Sequence, residues 1–355
     1  MKAYEHIFLY YFSGTGNAKM AAEWFRNESI SRNIPCEIEA ITEQTKVELP
    51  AKDTILLGFF SPTHGFNFPP IMLDFLFRFP RGKKADVFIV NTRAGMKMHK
   101  LFLPGLSGAA QYFAALILLL KNYKIVGMQP LDMPSNWISI HPALRDKVIV
   151  SIVNRCERII KKFANKLFFG KRVFKAFWSF PFDLAILPIA FLYYFAGRFA
   201  LAKTFYASNS CTNCGLCSKN CPVKAIETID SRMFWSYNCE SCMKCMSNCP
   251  ENAIHTSHSY SIGFWIVLMS FVSPIFVNYF ELWDIEFIEK SSSVFWIAEF
   301  SIEMLAFFII NIMAYRIFHF FMRFRIVSKF MEYTSLTRYW RNYNLKKTLK
   351  RMQKI

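Results

Sequence analysis

Acidic side chains are scarce in this chain: 25 Asp and Glu stand against 43 Lys and Arg, giving a formal net charge of +18. Charged residues of both signs reach only 19%, while hydrophobic residues make up 53%. That balance is more apolar than an ordinary soluble protein's, so contact with a membrane has to be tested along the chain. The charge admits nucleic acid, anionic lipid or an acidic protein as partner. The start, MKAYEHIFLYYFSGTG, lacks a signal-peptide layout, because its apolar run is short, ends in a glycine turn and has no cleavage site. No Gly-Lys-Ser/Thr follows that turn, which excludes a nucleotide P-loop, and Lys19 stands where a dinucleotide fingerprint has its third glycine. There is no Ser/His/Asp or Cys/His catalytic set and no nicotinamide fingerprint, so direct nicotinamide oxidation is not expected.

Cysteine is confined. Of ten, eight fall in CTNCGLCSKNCP (211–222) and CESCMKCMSNCP (239–250), while Cys36 and Cys156 stand apart and read as plain buried cysteines. Without a secretory start, the clustered cysteines read as metal ligands in a reducing compartment, not disulfides. Both blocks spell Cys-x2-Cys-x2-Cys-x3-Cys-Pro, the bacterial-type iron–sulfur run. Cysteines three apart let three thiolates converge on one cubane, and the proline turns the chain away. KAI and NAI (224–226 and 252–254) repeat along with the cysteines, so the duplication is structural. Zinc is the rival, but its sites take four ligands, usually from two Cys-x2-Cys knuckles, and three cysteines in tandem fit that poorly.

The first 140 residues alternate strand and helix patterns. HIFLYYF (6–12), TILLGFF (54–60), VFIVN (87–91) and KIVGMQPL (124–131) read as strands, with helices from Asn17 and over roughly 106–121. This pattern gives an α/β doubly wound parallel sheet with its ligand at the carboxyl ends of the strands. Between the first strand and helix lies Ser13-Gly14-Thr15-Gly16, a turn that presents backbone N–H groups and a helix N-terminus to an anion. Hydroxyls on Ser13 and Thr15, with amides near Asn17 and Ala18, suit a single terminal phosphate such as that of FMN.

FSGTGNAKM, SPTHGFNFPP, NTRAG and MPSNWI resemble the phosphate loop, the two isoalloxazine loops and the closing segment of a flavodoxin. With the cysteine blocks added, residues 1–140 and 205–256 resemble the fused ferredoxin–flavodoxin proteins of anaerobic microbes. The resemblance implies a flavodoxin-like domain and a small α+β two-cluster ferredoxin domain. It implies FMN held by Ser13, Gly14, Thr15, Gly16, Asn17, Ala18, Pro62, Thr63, His64, Gly65, Phe66, Asn91, Thr92, Arg93, Ala94 and Gly95. Ala18 replaces the family's usual Thr, and His64 or Phe66 takes the place of the aromatic residue over the flavin. It also implies two 4Fe–4S clusters, one on Cys211, Cys214, Cys217 and Cys249, the other on Cys239, Cys242, Cys245 and Cys221.

Three apolar stretches remain. Residues 261–280 run twenty residues without a charge, long enough to cross a hydrocarbon core. A second stretch runs from Val294 to about Met322 and holds Glu299, Glu303 and Arg316. Residues 323–355 then carry ten Lys and Arg against one acid, Glu332. Together these predict a helical membrane hairpin with both ends cytoplasmic and a basic tail on anionic lipid, nucleic acid being the other reading of that tail. The third, 177–200, is interrupted by Pro181, Asp183, Pro188 and Arg198 and reads as interfacial, re-entrant or packed on the hairpin. Before it, 143–175 reads as an amphipathic basic helix lying on a surface.

The expected division is a flavin domain at 1–142, a connector at 143–204, a ferredoxin domain at 205–258, a hairpin at 259–322 and a tail at 323–355. The expected function is electron transfer at the cytoplasmic membrane, between a soluble donor or acceptor protein and a membrane redox partner or quinone. A reductase acting on a quinone or lipid-like substrate and a redox sensor are the alternatives.

Overall fold

The computed structural model describes residues 4–47, 54–82, 85–272 and 293–352. The strands are β1 (His6–Tyr11), β2 (Cys36–Ala40), β3 (Ile55–Pro62), β4 (Asp86–Met98), β5 (Leu101–Leu103), β6 (Lys124–Pro134) and β7 (Val173–Phe174). They form one sheet ordered β2-β1-β3-β4-β6-β7, with β5 folded antiparallel onto the end of β4. Every pair along that row is parallel. Helices α1 (Asn17–Ile30), α2 (Pro70–Arg78), α3 (Ala110–Leu120) and α4 (Asp146–Phe168) cover it. β3 is therefore buried at every position, as a strand sandwiched between helices must be. Phenylalanine fills the seam: Phe25 stacks on Phe88 at 4.5 Å between ring centroids, and Phe163 meets Phe88 edge-on at 5.5 Å. The order of the first five strands in the row is that of flavodoxin-like sheets, whose ligand sits at the carboxyl ends beside the switch between β1 and β3.

The α/β unit extends beyond residue 142. Helix α4 packs on α1 and β6, burying Ile149, Ile152, Cys156, Ile160, Phe163 and Leu167, and β7 then pairs with β6. Residues 146–174 of the expected connector at 143–204 are thus part of the sheet domain. An apolar stripe at helical spacing suits a sheet face as well as a lipid surface.

Segment 177–200 is an elbow, with helical stretches Lys175–Ala185 and Leu187–Ala202 bent by 79°. Asp183, which broke the apolar pattern in sequence, is 1% exposed. Its Oδ1 accepts from the backbone N–H of Ser107 (2.7 Å) and Gly108 (2.9 Å), and its Oδ2 accepts from Ser179 Oγ (2.7 Å). The carboxylate pins the elbow to a loop at the top of the sheet, while Trp178, Phe182 and Phe191 stay exposed.

Beyond the elbow, β8 (Phe205–Ala207) pairs antiparallel with β11 (Ile254–Thr256), and β9 (Ile226–Ile229) with β10 (Arg232–Trp235). The cysteine blocks carry matching short helices, Leu216–Lys219 and Lys244–Asn248, each preceded by a left-handed residue, Gly215 or Met243. The repeat seen in the sequence is therefore a repeat of backbone geometry.

The helix His258–Val267 leaves this domain, and a helix over Ser293–Phe321 returns to it. Among the described residues one helical segment, Phe300–Phe321, is long and apolar enough to cross a membrane, at 22 residues and mean hydropathy 1.7. Residues 273–292, with the end of the first apolar stretch and the acidic link, lie outside the described residues, as does the Glu299 side chain. The returning helix ends on the cysteine domain. Tyr315 Oη donates to the Phe205 carbonyl (3.0 Å) and accepts from the Trp235 N–H (3.2 Å), and Phe318 and Met322 are buried.

The segment after it is not a free tail. Tyr343 and Leu345 are buried, the Ala143 N–H donates to the Arg341 carbonyl (3.0 Å), and Asn344 Nδ2 donates to the Ser247 carbonyl (2.8 Å). The expected basic tail packs on the cysteine domain through Met331, Ser335 and Thr337, and its later residues, as far as Met352, run between the α/β and cysteine domains. Its apolar and amide side chains find partners there that lie far off in sequence.

Candidate redox centre

Four loops converge at the carboxyl ends of the central strands. After β1 the chain turns through Ser13–Gly16 into α1. Gly16 takes φ 104°, a left-handed conformation that glycine adopts freely, and its N–H donates to Ser13 Oγ (3.1 Å). No side chain caps α1, so its first N–H groups face the loop, the arrangement that receives a phosphate. Asn136, after β6, donates from Nδ2 to Thr15 Oγ1. Asn17 donates to the Pro134 carbonyl (3.0 Å) and accepts from Tyr343 Oη (2.6 Å).

Asn17, Pro62, Thr63, His64, Gly65, Phe66, Thr92, Arg93 and Ala94 line one cavity of about 170 Å³, joined there by Trp137, Tyr193, Cys242 and Met243. The other expected contacts lie around it. Ser13, Gly14, Thr15 and Gly16 line an adjoining cleft of about 910 Å³. Ala18 is buried in the core. Asn91 is fully buried behind the loops, where its Nδ2 donates to Thr63 Oγ1 (2.8 Å) and Ser107 Oγ (3.0 Å) while its Oδ1 accepts from Gln111 (2.6 Å). Gly95 lies against the Asp132 backbone.

Arg93 is 8% exposed, and its Nε donates to Asp132 Oδ1 at 2.6 Å. That pairing leaves a neutralised guanidinium at the cavity wall. His64 is pushed down to about 4 by burial, partly offset by a hydrogen bond to the Glu240 backbone. The ring is therefore neutral at pH 7, with Nδ1 buried and unpartnered. An orphaned buried nitrogen, an uncapped helix and converging loops of small residues fit a ligand with an anionic end and a flat polar ring.

The cysteines gather in two groups. Burial raises the Cys217 thiol, and Cys211 and Cys249 lie near enough to raise it further. Cys245 is raised by burial and then by Cys239, Cys242 and Cys221. Cys242 is pushed up to about 12, chiefly by burial and also by Cys221. Cys217 thus lies near Cys249, and Cys245 near Cys221, each a residue of the other block. Cys214 is exposed. Among the described residues no three His, Cys, Asp or Glu side chains close on a point as one ion would require. Loading iron has to displace the thiol protons, because thiolate is the ligating form.

The two centres touch. A Cβ on Gly14 would collide with the Cys242 carbonyl. Glu240, two residues before Cys242, accepts from the Ile71 N–H at the start of α2 (2.7 Å). Sequence reasoning missed Tyr193, Glu240 and Tyr343 here, since each reaches the site from a distant part of the chain and sits in no motif.

The chain joins a flavodoxin-like α/β fold to an iron–sulfur domain, an architecture that supports an electron-transfer role. Residues 210–254 match the 4Fe-4S dicluster domain. Among solved structures, the chain is similar to a flavodoxin from the domain Archaea, at 19% identity and TM-score 0.29, over 45% of this chain and 97% of that one. It is also similar to oxidised flavodoxin 1 from Bacillus cereus, at 14% identity and TM-score 0.31, over 45% and 97%. No curated protein matches in sequence. The fold assignment rests on the strand order itself.

Proposed function

We propose that this protein is a membrane-anchored electron carrier in which two 4Fe–4S clusters exchange electrons with an FMN. Cys211, Cys214, Cys217 and Cys249 hold one cluster, and Cys239, Cys242, Cys245 and Cys221 hold the other. The phosphate lies at Ser13–Asn17, and the ring lies among Thr63–Phe66, Thr92–Ala94 and Trp137. Bound there, clusters and flavin supply one- and two-electron redox chemistry; the protein supplies spacing, orientation and electrostatics. The observation that carries this reading is the contact of Gly14 with Cys242, which joins the flavin loop to a cluster ligand without an intervening layer.

The residues divide the remaining work. Asn17, Thr15 and Asn136 fix the loop that faces the phosphate. Neutral His64 adds no charge beside the ring. Lys19, Lys219, Lys224, Lys244, Lys346 and Lys350 surround the cleft that reaches Cys221, a positive field that steers an acidic soluble redox protein to the clusters. The Phe300–Phe321 helix is the anchor. Its end lies on the cysteine domain and basic residues follow it, so the cofactor domains sit on the cytoplasmic side.

Anaerobic purification in detergent, with iron, sulfide, zinc and flavin quantified together, tests the proposal. About eight iron, eight sulfide and one FMN per chain is the expected result. Two zinc with no sulfide and no flavin would overturn it.

A further inference from the structure

A second cavity, of about 450 Å³, lies between the elbow and the two apolar helices, a size that suits a small organic ligand. Leu192, Ala200, Trp265, Met269, Phe307 and Ile310 are among its walls. Of the lining residues only Glu303 carries a charge. Glu303 precedes Tyr315, where the helix meets the cysteine domain, by twelve residues. That places it about 18 Å along the helix from there, as the fourth residue of the apolar segment Phe300–Phe321 and so near its outer end.

The cavity is one residue from the redox centre. Tyr193 lines both cavities, and its ring occupies the place a Cβ of Gly65 would take. It also meets Trp137 edge-on at 5.8 Å. Cys242 stands on the far wall of the inner cavity. On its outer side the second cavity is framed by exposed apolar residues, including Ile189, Phe191, Trp265 and Met269. A water-soluble substrate gains nothing from such a mouth, whereas a molecule dissolved in the bilayer enters without leaving an apolar medium.

From this geometry we infer that the cavity binds a membrane-soluble quinone, with its ring between Glu303 and Tyr193. The inference rests on the electron-carrier reading above and names that carrier's membrane-side acceptor. Two molecules of a reduced soluble one-electron carrier supply one electron each, passed singly by way of the clusters, and both are left oxidised. Two protons come from water, and each quinone carbonyl oxygen becomes a hydroxyl.

Two variants fill the cavity from different elements, Ala200→Phe on the elbow and Ala306→Phe on the returning helix. The full chain, with clusters loaded and held in detergent, is titrated in its oxidised state with a short-tailed naphthoquinone while tryptophan emission is followed. Wild-type emission is quenched saturably, and both variants bind at least tenfold more weakly with cluster absorbance unchanged. After reduction with dithionite, the same quinone reoxidises the wild type at least tenfold faster than either variant, while ferricyanide reoxidises all three alike. Equal quinone binding by all three proteins overturns the inference and leaves the carrier intact. Absence of reducible clusters would instead remove the carrier reading itself.

Discussion

The hydroxyl of Tyr343 donates a 2.6 Å hydrogen bond to Asn17 Oδ1 across 326 residues of chain. Both side chains are buried, Tyr343 completely. Asn17 begins α1 and its amide also reaches the Pro134 carbonyl, so the C-terminal segment braces the loop assigned to the phosphate. Tyr343→Phe removes the donor and leaves Asn17 Oδ1 unsatisfied, at a cost of about 1–3 kcal/mol. The thermal midpoint should fall by several degrees and FMN should bind more weakly. An unchanged FMN affinity, measured by fluorescence titration, would mean that the brace does not reach the flavin loop.

Gly14 meets the Cys242 carbonyl with no room for a side chain. Gly14→Val has to push the phosphate loop and the second cysteine block apart, with an overpacking cost of about 1–3 kcal/mol. Iron content should survive, because no thiol is removed, while electron transfer from dithionite-reduced clusters to flavin should slow. Stopped-flow absorbance separates the two signals. Wild-type transfer in this variant would sever the link between that contact and the electron path.

The sequence made the redox parts legible because their chemistry is local. Eight cysteines at fixed spacing and a glycine turn between strand and helix need no knowledge of the rest of the chain. Tyr193 and Tyr343 carry no such signal, since what matters about each is a contact with a residue far away. Asp183 was legible only as an interruption; its four hydrogen bonds, from Ser107, Gly108, Ser179 and Tyr112, explain why an apolar elbow keeps an acid. Helix α4 failed for a different reason. Its stripe states that one face is buried, and nothing in a stripe distinguishes a protein sheet from a lipid surface.

His255 lies buried on β11, and burial, aided by the charge of Arg338, pushes its imidazole down to about 4 from 6.5. A depressed base is neutral in the fold and protonated in the unfolded chain between those values. Stability is therefore lost as pH falls from 6.5 towards 4, by about 3 kcal/mol over the full window at 1.36 kcal/mol per unit. Acid also protonates cluster thiolates, so the comparison must be differential. His255→Gln should flatten the dependence of the thermal midpoint between pH 7 and pH 5 relative to wild type. Parallel curves would show that the ring does not titrate in the fold at such low pH.

Phe163 separates the two readings of α4. The side chain is 2% exposed and its ring packs edge-on against both Phe25 and Phe88, beneath Gly127, where a Cβ would meet it. Phe163→Ala leaves a cavity in the centre of the sheet domain and should cost about 3–5 kcal/mol, enough to lower the melting temperature of the whole α/β unit. A helix lying on lipid would respond otherwise, because truncating one side chain there weakens membrane attachment and leaves the folded domain's melting point unchanged. Calorimetry in detergent and vesicle flotation, run on the same variant, distinguish them: a large drop in melting temperature with unaltered flotation is the outcome expected from the packing around Phe163.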